Sequence, residues 1–176
     1  MQQSSISQPI PANWVQKKLP LVPTGGVVLD LACGRGRHTR LLLEEGFSVV
    51  ALDKDVSGLD DIAGSPNLEI VASDLEDGRV FPLKGRQFSG IIVVNYLYRP
   101  VFDELVTALA PGGVLIYQTF MQGNEAYGRP RNPDFLLQEN ELKEVFGAEL
   151  SVQAFEQGFE ERPSPAMIQK ICAVKA

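Results

Sequence analysis

The chain has 176 residues, 44% of them hydrophobic and 22% charged, enough to bury an ordinary core and too few for an appended domain, so one domain over residues 1–176 is expected. A formal charge of −6 argues against a broad nucleic-acid footprint, and two cysteines are too few for a disulfide scaffold or a thiolate metal cluster, so no metal is expected. The start, MQQSSISQPIP, has no basic region followed by an apolar run, and no stretch approaches membrane-spanning length; a cytoplasmic location without membrane contact is expected.

In chain order, residues 1–11 are expected to be flexible, and Trp14 lies on a short amphipathic piece that covers a ligand opening or anchors the N-terminus. The stretch VVLDLACGRGRHT, Val27 to Thr39, joins a strand buried on both faces to a turn spaced by Gly34 and Gly36, and then to a helix over Arg37–Glu45. The amides that open this helix face whatever binds at the turn. FSVVALD is a second buried strand ending at Asp53, where an α/β nucleotide fold places an acid on ribose hydroxyls. A short helix is expected at Val56–Ala63, a third strand at Leu68–Ala72 ending in Ser73-Asp74-Leu75, and a fourth at Phe88–Tyr98. A helix over Pro100–Leu109 leads to the turn Pro111-Gly112-Gly113 and the strand VLIYQTF. Residues 121–137 form a long connection at the ligand end of that strand and are expected to face substrate. A helix at Glu139–Phe146 precedes two extended runs, LSVQAFEQGF and AMIQKICAVKA, whose short link predicts a hairpin and an antiparallel last strand. The repeated β-α order predicts a mostly parallel sheet with helices on both faces.

Asp30 sits at the mouth of the first strand, where a dinucleotide's pyrophosphate would lie and where a carboxylate would repel it. It suits a ligand that is cationic there, or it caps amides of its own loop. The series Asp30-Leu31-Ala32-Cys33-Gly34-Arg35-Gly36, followed by Asp53, resembles the first two motifs of the class I S-adenosylmethionine-dependent methyltransferases. Ala32 stands where that family often has its first glycine, and Thr39 stands where a dinucleotide pattern has its third. Within the class, NYLYRP, PGGVLIYQTF and GNEAYGRPRNPDFLL are similar to segments of small bacterial methyltransferases related to the tellurite-resistance methyltransferases.

The resemblance implies a Rossmann-like, seven-stranded α/β sheet and S-adenosylmethionine as cofactor, leaving as S-adenosylhomocysteine. It puts Asp30, Ala32, Cys33, Gly34, Gly36, Asp53 and Lys54 around the cofactor, Asp74 on the adenine amino group with the Leu75 backbone beside it, and Asn95 beside the methionine part. His38, the only histidine, and Tyr96 are the catalytic candidates. Tyr96, Arg99, Glu125, Tyr127, Arg129 and Arg131 are the candidate acceptor contacts, and the two loop arginines suggest an anionic or oxyanion-bearing small molecule. A monomer or weak homodimer is expected. Two alternatives stand beside methyl transfer: a nicotinamide-dependent oxidoreductase, and a non-catalytic S-adenosylmethionine-binding protein.

Overall fold

The computed structural model describes residues 9–176. Seven strands form one sheet in the order β3-β2-β1-β4-β5-β7-β6. β1 (Val27–Leu31), β2 (Ser48–Asp53), β3 (Leu68–Ala72), β4 (Phe88–Val94) and β5 (Leu109–Phe120) run parallel to one another. The expected hairpin is β6 (Ser151–Glu160) with β7 (Ala166–Val174), and β7 is antiparallel to both β5 and β6.

Alternate residues of the central strands feed two cores. Leu29, Leu31, Ile91, Val93, Leu115 and Tyr117 pack with Phe102 and Leu105 of α3 (Phe102–Ala108) and with Leu142 and Phe146 of α4 (Glu141–Gly147). Val28, Val49, Ile92 and Ile116 turn the other way, onto Trp14 and Val15 of α1 (Asn13–Lys18) and Leu42 of α2 (Arg37–Glu44). Period-two side chains on strands buried from both sides thus place helices on both faces. Each fully buried Leu or Ile contributes roughly 1.5–3 kcal/mol.

The strand order reverses between β1 and β4, and in such sheets ligands bind at the carboxyl ends of the strands beside that point. Ala32, Asp53, Asp74 and Asn95 all lie at or just beyond strand ends there.

Several elements end elsewhere than the sequence predicts. β4 stops at Val94 rather than Tyr98, because Asn95 adopts φ 57° and turns the chain out of the sheet. The helix expected from Pro100 opens as a 3-10 turn, Arg99–Val101, before α3, and Val56–Ala63 is reduced to a 3-10 turn over Ser57–Ile62. α4 starts at Glu141, since Asn140 sits at φ 60°. Residues 121–137 hold two 3-10 turns, Asn124–Ala126 and Pro133–Phe135, and their ends meet where the Gln122 N–H donates to Leu137 O at 2.9 Å. Buried Asn124 fastens this loop to β7, accepting from the Met167 N–H at 3.1 Å.

The expected flexible start falls mostly outside the described residues. Within them, Ile10 O accepts from Arg37 and the Ala12 N–H donates to His38, tying this strap to α2. Trp14 is buried and its Nε1–H donates to Ile171 O at 3.1 Å, which anchors the N-terminal segment on β7. Among the described residues, no helix is long and apolar enough to cross a membrane, and no group of three or more His, Cys, Asp or Glu could hold a metal ion.

Candidate functional site

Two glycines shape the turn after β1. Gly34 (φ +55°) has open space where a Cβ would go and is needed for its backbone alone, whereas a Cβ on Gly36 (φ +82°) would lie 2.2 Å from Leu59 Cδ2. Ala32 also lies in the left-handed region, at φ 54°, where an L side chain costs about 1–2 kcal/mol. Glycine there relieves that strain, and its more flexible unfolded chain takes back part of the gain. Ala32→Gly is therefore expected to stabilise the fold by about 1 kcal/mol, raising the unfolding temperature by roughly 2–4 °C. A lower temperature in a thermal melt would show that the methyl group makes contacts worth more than the strain.

A cleft of about 200 Å³ opens beside this turn, lined by Ala32, Asp53, Lys54, Asp74, Leu75 and Tyr96 together with Leu52, Ser73 and Glu76. Asp53 Oδ2 accepts the Gly34 N–H at 2.9 Å and its Oδ1 accepts the Asp55 N–H at 3.1 Å, so the acid that ends β2 braces the glycine turn. Asp74 Oδ1 accepts the Glu76 N–H at 2.9 Å, and the Tyr96 hydroxyl donates to Glu76 Oε1 at 3.1 Å. Burial, then the Glu76 charge, hold the Tyr96 phenol well above its ordinary range. Tyr96 is accordingly a hydrogen-bond donor and a poor base.

Asp30 is buried behind the turn rather than lining the cleft. Thr39 Oγ1, on the first turn of α2, donates to its Oδ2 at 2.6 Å, a bond to a helix hydroxyl rather than to amides of its own loop. Burial nevertheless pushes its carboxyl up to about 7, against the lowering effect of Thr39 and Arg37. Cys33 is buried, and its thiol is driven up by burial first and by Asp30 and Asp53 next, which leaves it inert. His38 is only 4% exposed and its Nε2 accepts the Ala12 N–H at 3.0 Å. Burial and then Arg37 lower it to about 4. The lone pair a general base would use is thus already engaged by the N-terminal strap.

The expected acceptor contacts are dispersed. Arg99 is committed to Glu141 (Nε–Oε1 2.5 Å) and to the carbonyls of Asp134 and Leu136, clamping the 121–137 loop onto α4. Glu125 accepts the Gly123 N–H at 2.8 Å, Tyr127 packs on Phe159 with ring centroids 5.1 Å apart, and Arg129 and Arg131 are exposed. None of these five lines the cleft. A second groove, about 920 Å³, lies instead between the strap, the ends of β4 and β5, and the tip of the β6–β7 hairpin, and Asn95 lines it.

Three participants are not singled out by the sequence. Glu76 is signalled there only as a further acid two residues beyond Asp74. Thr39 stands out only as a displaced glycine, although a hydroxyl on the first turn of α2 is placed to meet Asp30. The groove joins segments more than a hundred residues apart, and no local pattern signals it.

Residues 28–113 match a family model described as a methyltransferase domain. Among solved structures, TehB from Haemophilus influenzae is similar at 19% identity and a TM-score of 0.75, over 97% of this chain and 64% of that one. The chain therefore spans less than two thirds of that protein's length. The 1,6-didemethyltoxoflavin-N1-methyltransferase of Burkholderia thailandensis, solved with 1,6-didemethyltoxoflavin and S-adenosylhomocysteine, matches at 20% identity and 0.67, over 86% of this chain and 71% of that one. The N-methyltransferase NodS of Bradyrhizobium japonicum matches at 16% and 0.68, over 91% and 93%. No curated protein matches. The methyltransferase-domain match thus runs from β1 into β5, and the similarity to these solved structures extends the shared fold over most of the sheet.

Proposed function

We propose that this chain transfers a methyl group from S-adenosylmethionine to a small-molecule acceptor by in-line displacement. The observation that carries the reading is the charge of the cleft: Asp53, Asp74 and Glu76 wall it, Asp30 stands behind it, and Lys54 is its one lysine or arginine. A pyrophosphate would face the three carboxylates of the wall, whereas a phosphate-free adenosine carrying an ammonium and a sulfonium would not be repelled. Relatives of the same fold that hold S-adenosylhomocysteine or sinefungin support the choice.

When bound, the cofactor supplies a methyl group activated by a sulfonium. Asp53 would take the ribose hydroxyls, since each of its oxygens accepts one backbone N–H and keeps a lone pair. Asp74 would accept from the adenine amino group, with the Leu75 backbone alongside, and Asp30 would compensate the ammonium. Tyr96 and Asn95 would flank the methyl, on opposite sides of the β4 end. Holding the reactants in line and excluding water supplies about 7–11 kcal/mol, so no dedicated base is required for an acceptor that arrives deprotonated. The reading has the enzyme act in the cytoplasm as a monomer or weak homodimer.

Turnover tests it. With S-adenosylmethionine and a panel of thiols, phenols, N-heteroaromatics, carboxylates and metalloid oxyanions, S-adenosylhomocysteine is expected to form in step with one methylated acceptor. Tight cofactor binding with no product across the panel would point to a non-catalytic binding protein.

A further inference from the structure

The second groove bears on the class of acceptor, and its assignment as an acceptor site rests on the methyl-transfer reading. Asn95 and Tyr96 are consecutive, yet Tyr96 lines the carboxylate-walled cleft and Asn95 the groove, so the two spaces meet at the end of β4. The Asn95 N–H donates to Gln118 O at 2.9 Å, which sets the first residue beyond β4 beside Gln118 of β5. Both line the groove, and among the described residues neither side-chain carboxamide has a hydrogen-bond partner. Phe120 and Ile168 flank them with apolar surface.

The charges around this floor are largely spent. Lys170, 9% exposed, is held by Glu156 at 2.8 Å and by Glu160, and its ammonium lies 5.1 Å from the centroid of the Trp14 ring. Arg37 donates to Ile10 O at 3.2 Å. Lys17 and Arg162 remain at the rim, Arg162 beside an exposed Glu161. An inorganic oxyanion needs converging free cations or amides, and the floor offers two uncharged carboxamides instead. The space, about 920 Å³, lies at the upper end of the roughly 300–1,000 Å³ that organic ligands occupy and far exceeds what an oxyanion fills.

We infer that the acceptor is an organic molecule carrying uncharged hydrogen-bonding groups, bound in the groove between the N-terminal strap and the β6–β7 hairpin tip and read by the carboxamides of Asn95 and Gln118. Arg129 and Arg131 then have no part in binding it. Each carboxamide can donate and accept, which suits amide-, lactam- or hydroxy-substituted rings over simple anions. The strap that walls the groove is pinned by Arg37 and His38, which directly follow the glycine turn, so one short helix supports both spaces.

Trp14 is the chain's only tryptophan and lines the groove, so its emission reports occupancy. The full chain, saturated with S-adenosylhomocysteine, is titrated with a library of uncharged heteroaromatic amides, lactams and phenols, and in a separate arm with selenite. Saturable changes in Trp14 emission are expected from members of the library and not from selenite. Gln118→Leu is expected to weaken them roughly tenfold, the value of one hydrogen bond, while the thermal upshift caused by S-adenosylhomocysteine stays at the native value. Asn95→Gly, which keeps the left-handed backbone, serves as a second variant should the first fail to fold. The inference is overturned if no library member saturates, if affinity is indifferent to both substitutions, or if selenite gives a saturable change that depends on Arg129 or Arg131. A chain that shows no upshift with S-adenosylhomocysteine fails earlier, at the cofactor, and that result is distinguishable from the others.

Discussion

Asp53→Ala is expected to weaken S-adenosylhomocysteine binding by roughly 10²–10⁴-fold while leaving the fold intact. Two charge-assisted bonds to ribose hydroxyls contribute about 1.5–3 kcal/mol each, and every 1.4 kcal/mol or so is tenfold in affinity. The same substitution frees the Gly34 and Asp55 amides, which lie 2.9 and 3.1 Å from the carboxylate, and so lets the glycine turn relax. Both amides are exposed and can bond to water instead, so the stability cost is expected to be small, about 1 kcal/mol. Asp53→Asn, which retains one oxygen acceptor, is expected to fall between the two. Calorimetric titration reads the series, and an alanine variant that binds like the native chain would remove Asp53 from the site.

The second large effect is on pH. Asp30 has its carboxyl pushed up to about 7 by burial, so around neutrality the empty site is part protonated. A cationic cofactor prefers the carboxylate and must expel that proton. Affinity is therefore expected to be flat above pH 7 and to fall below it, by up to about tenfold per pH unit, with up to about one proton released per ligand bound. Asp30→Asn is expected to flatten the profile and to bind more weakly at high pH. A native profile without a break near 7 would remove the ammonium from the neighbourhood of Asp30.

Binding reads this better than stability does. Because the folded-state pKa of Asp30 is raised from 3.8 to about 7, its contribution to stability is present below 3.8 and is lost as pH rises through 7, a change of about 4 kcal/mol. His38 works the other way. Lowered from 6.5 to about 4, it contributes stability above 6.5 that is lost as pH falls through 4, about 3 kcal/mol. Between these limits the two trends oppose each other, and a melting curve against pH blurs both.

Much of the sheet is legible in the sequence because its signals are local. VVLDL, SVVALD and FSGIIVV are short apolar runs bounded by turn residues, and Asp53 and Asp74 are recognisable as acids that end or follow such runs. The two final extended segments carry the topology of the C-terminal half, whereas Pro111-Gly112-Gly113, expected as a turn ahead of the strand, lies within β5, where the register with β4 shifts. Backbone conformation is harder to read: Ala32, Asn95 and Asn140 adopt positive φ without a glycine to announce it, which moves the end of β4 and the start of α4. The 121–137 loop misleads for a related reason. Its arginines suggest a segment that faces substrate, but what directs the loop is Asn124 bonded to Met167 and Arg99 bonded to Glu141, across 43 and 42 positions. Groove and loop are both set by partners distant in sequence, which composition and periodicity do not encode.

The most direct measurement is thermal unfolding of the full chain with S-adenosylhomocysteine and, separately, with NADH. Ligand at about 100 times its dissociation constant adds roughly 2.7 kcal/mol, on the order of 5–11 °C for a domain of this size. A site walled by the carboxylates of Asp53, Asp74 and Glu76 predicts that upshift with S-adenosylhomocysteine and none with NADH. A shift with NADH, or none with S-adenosylhomocysteine, would contradict it.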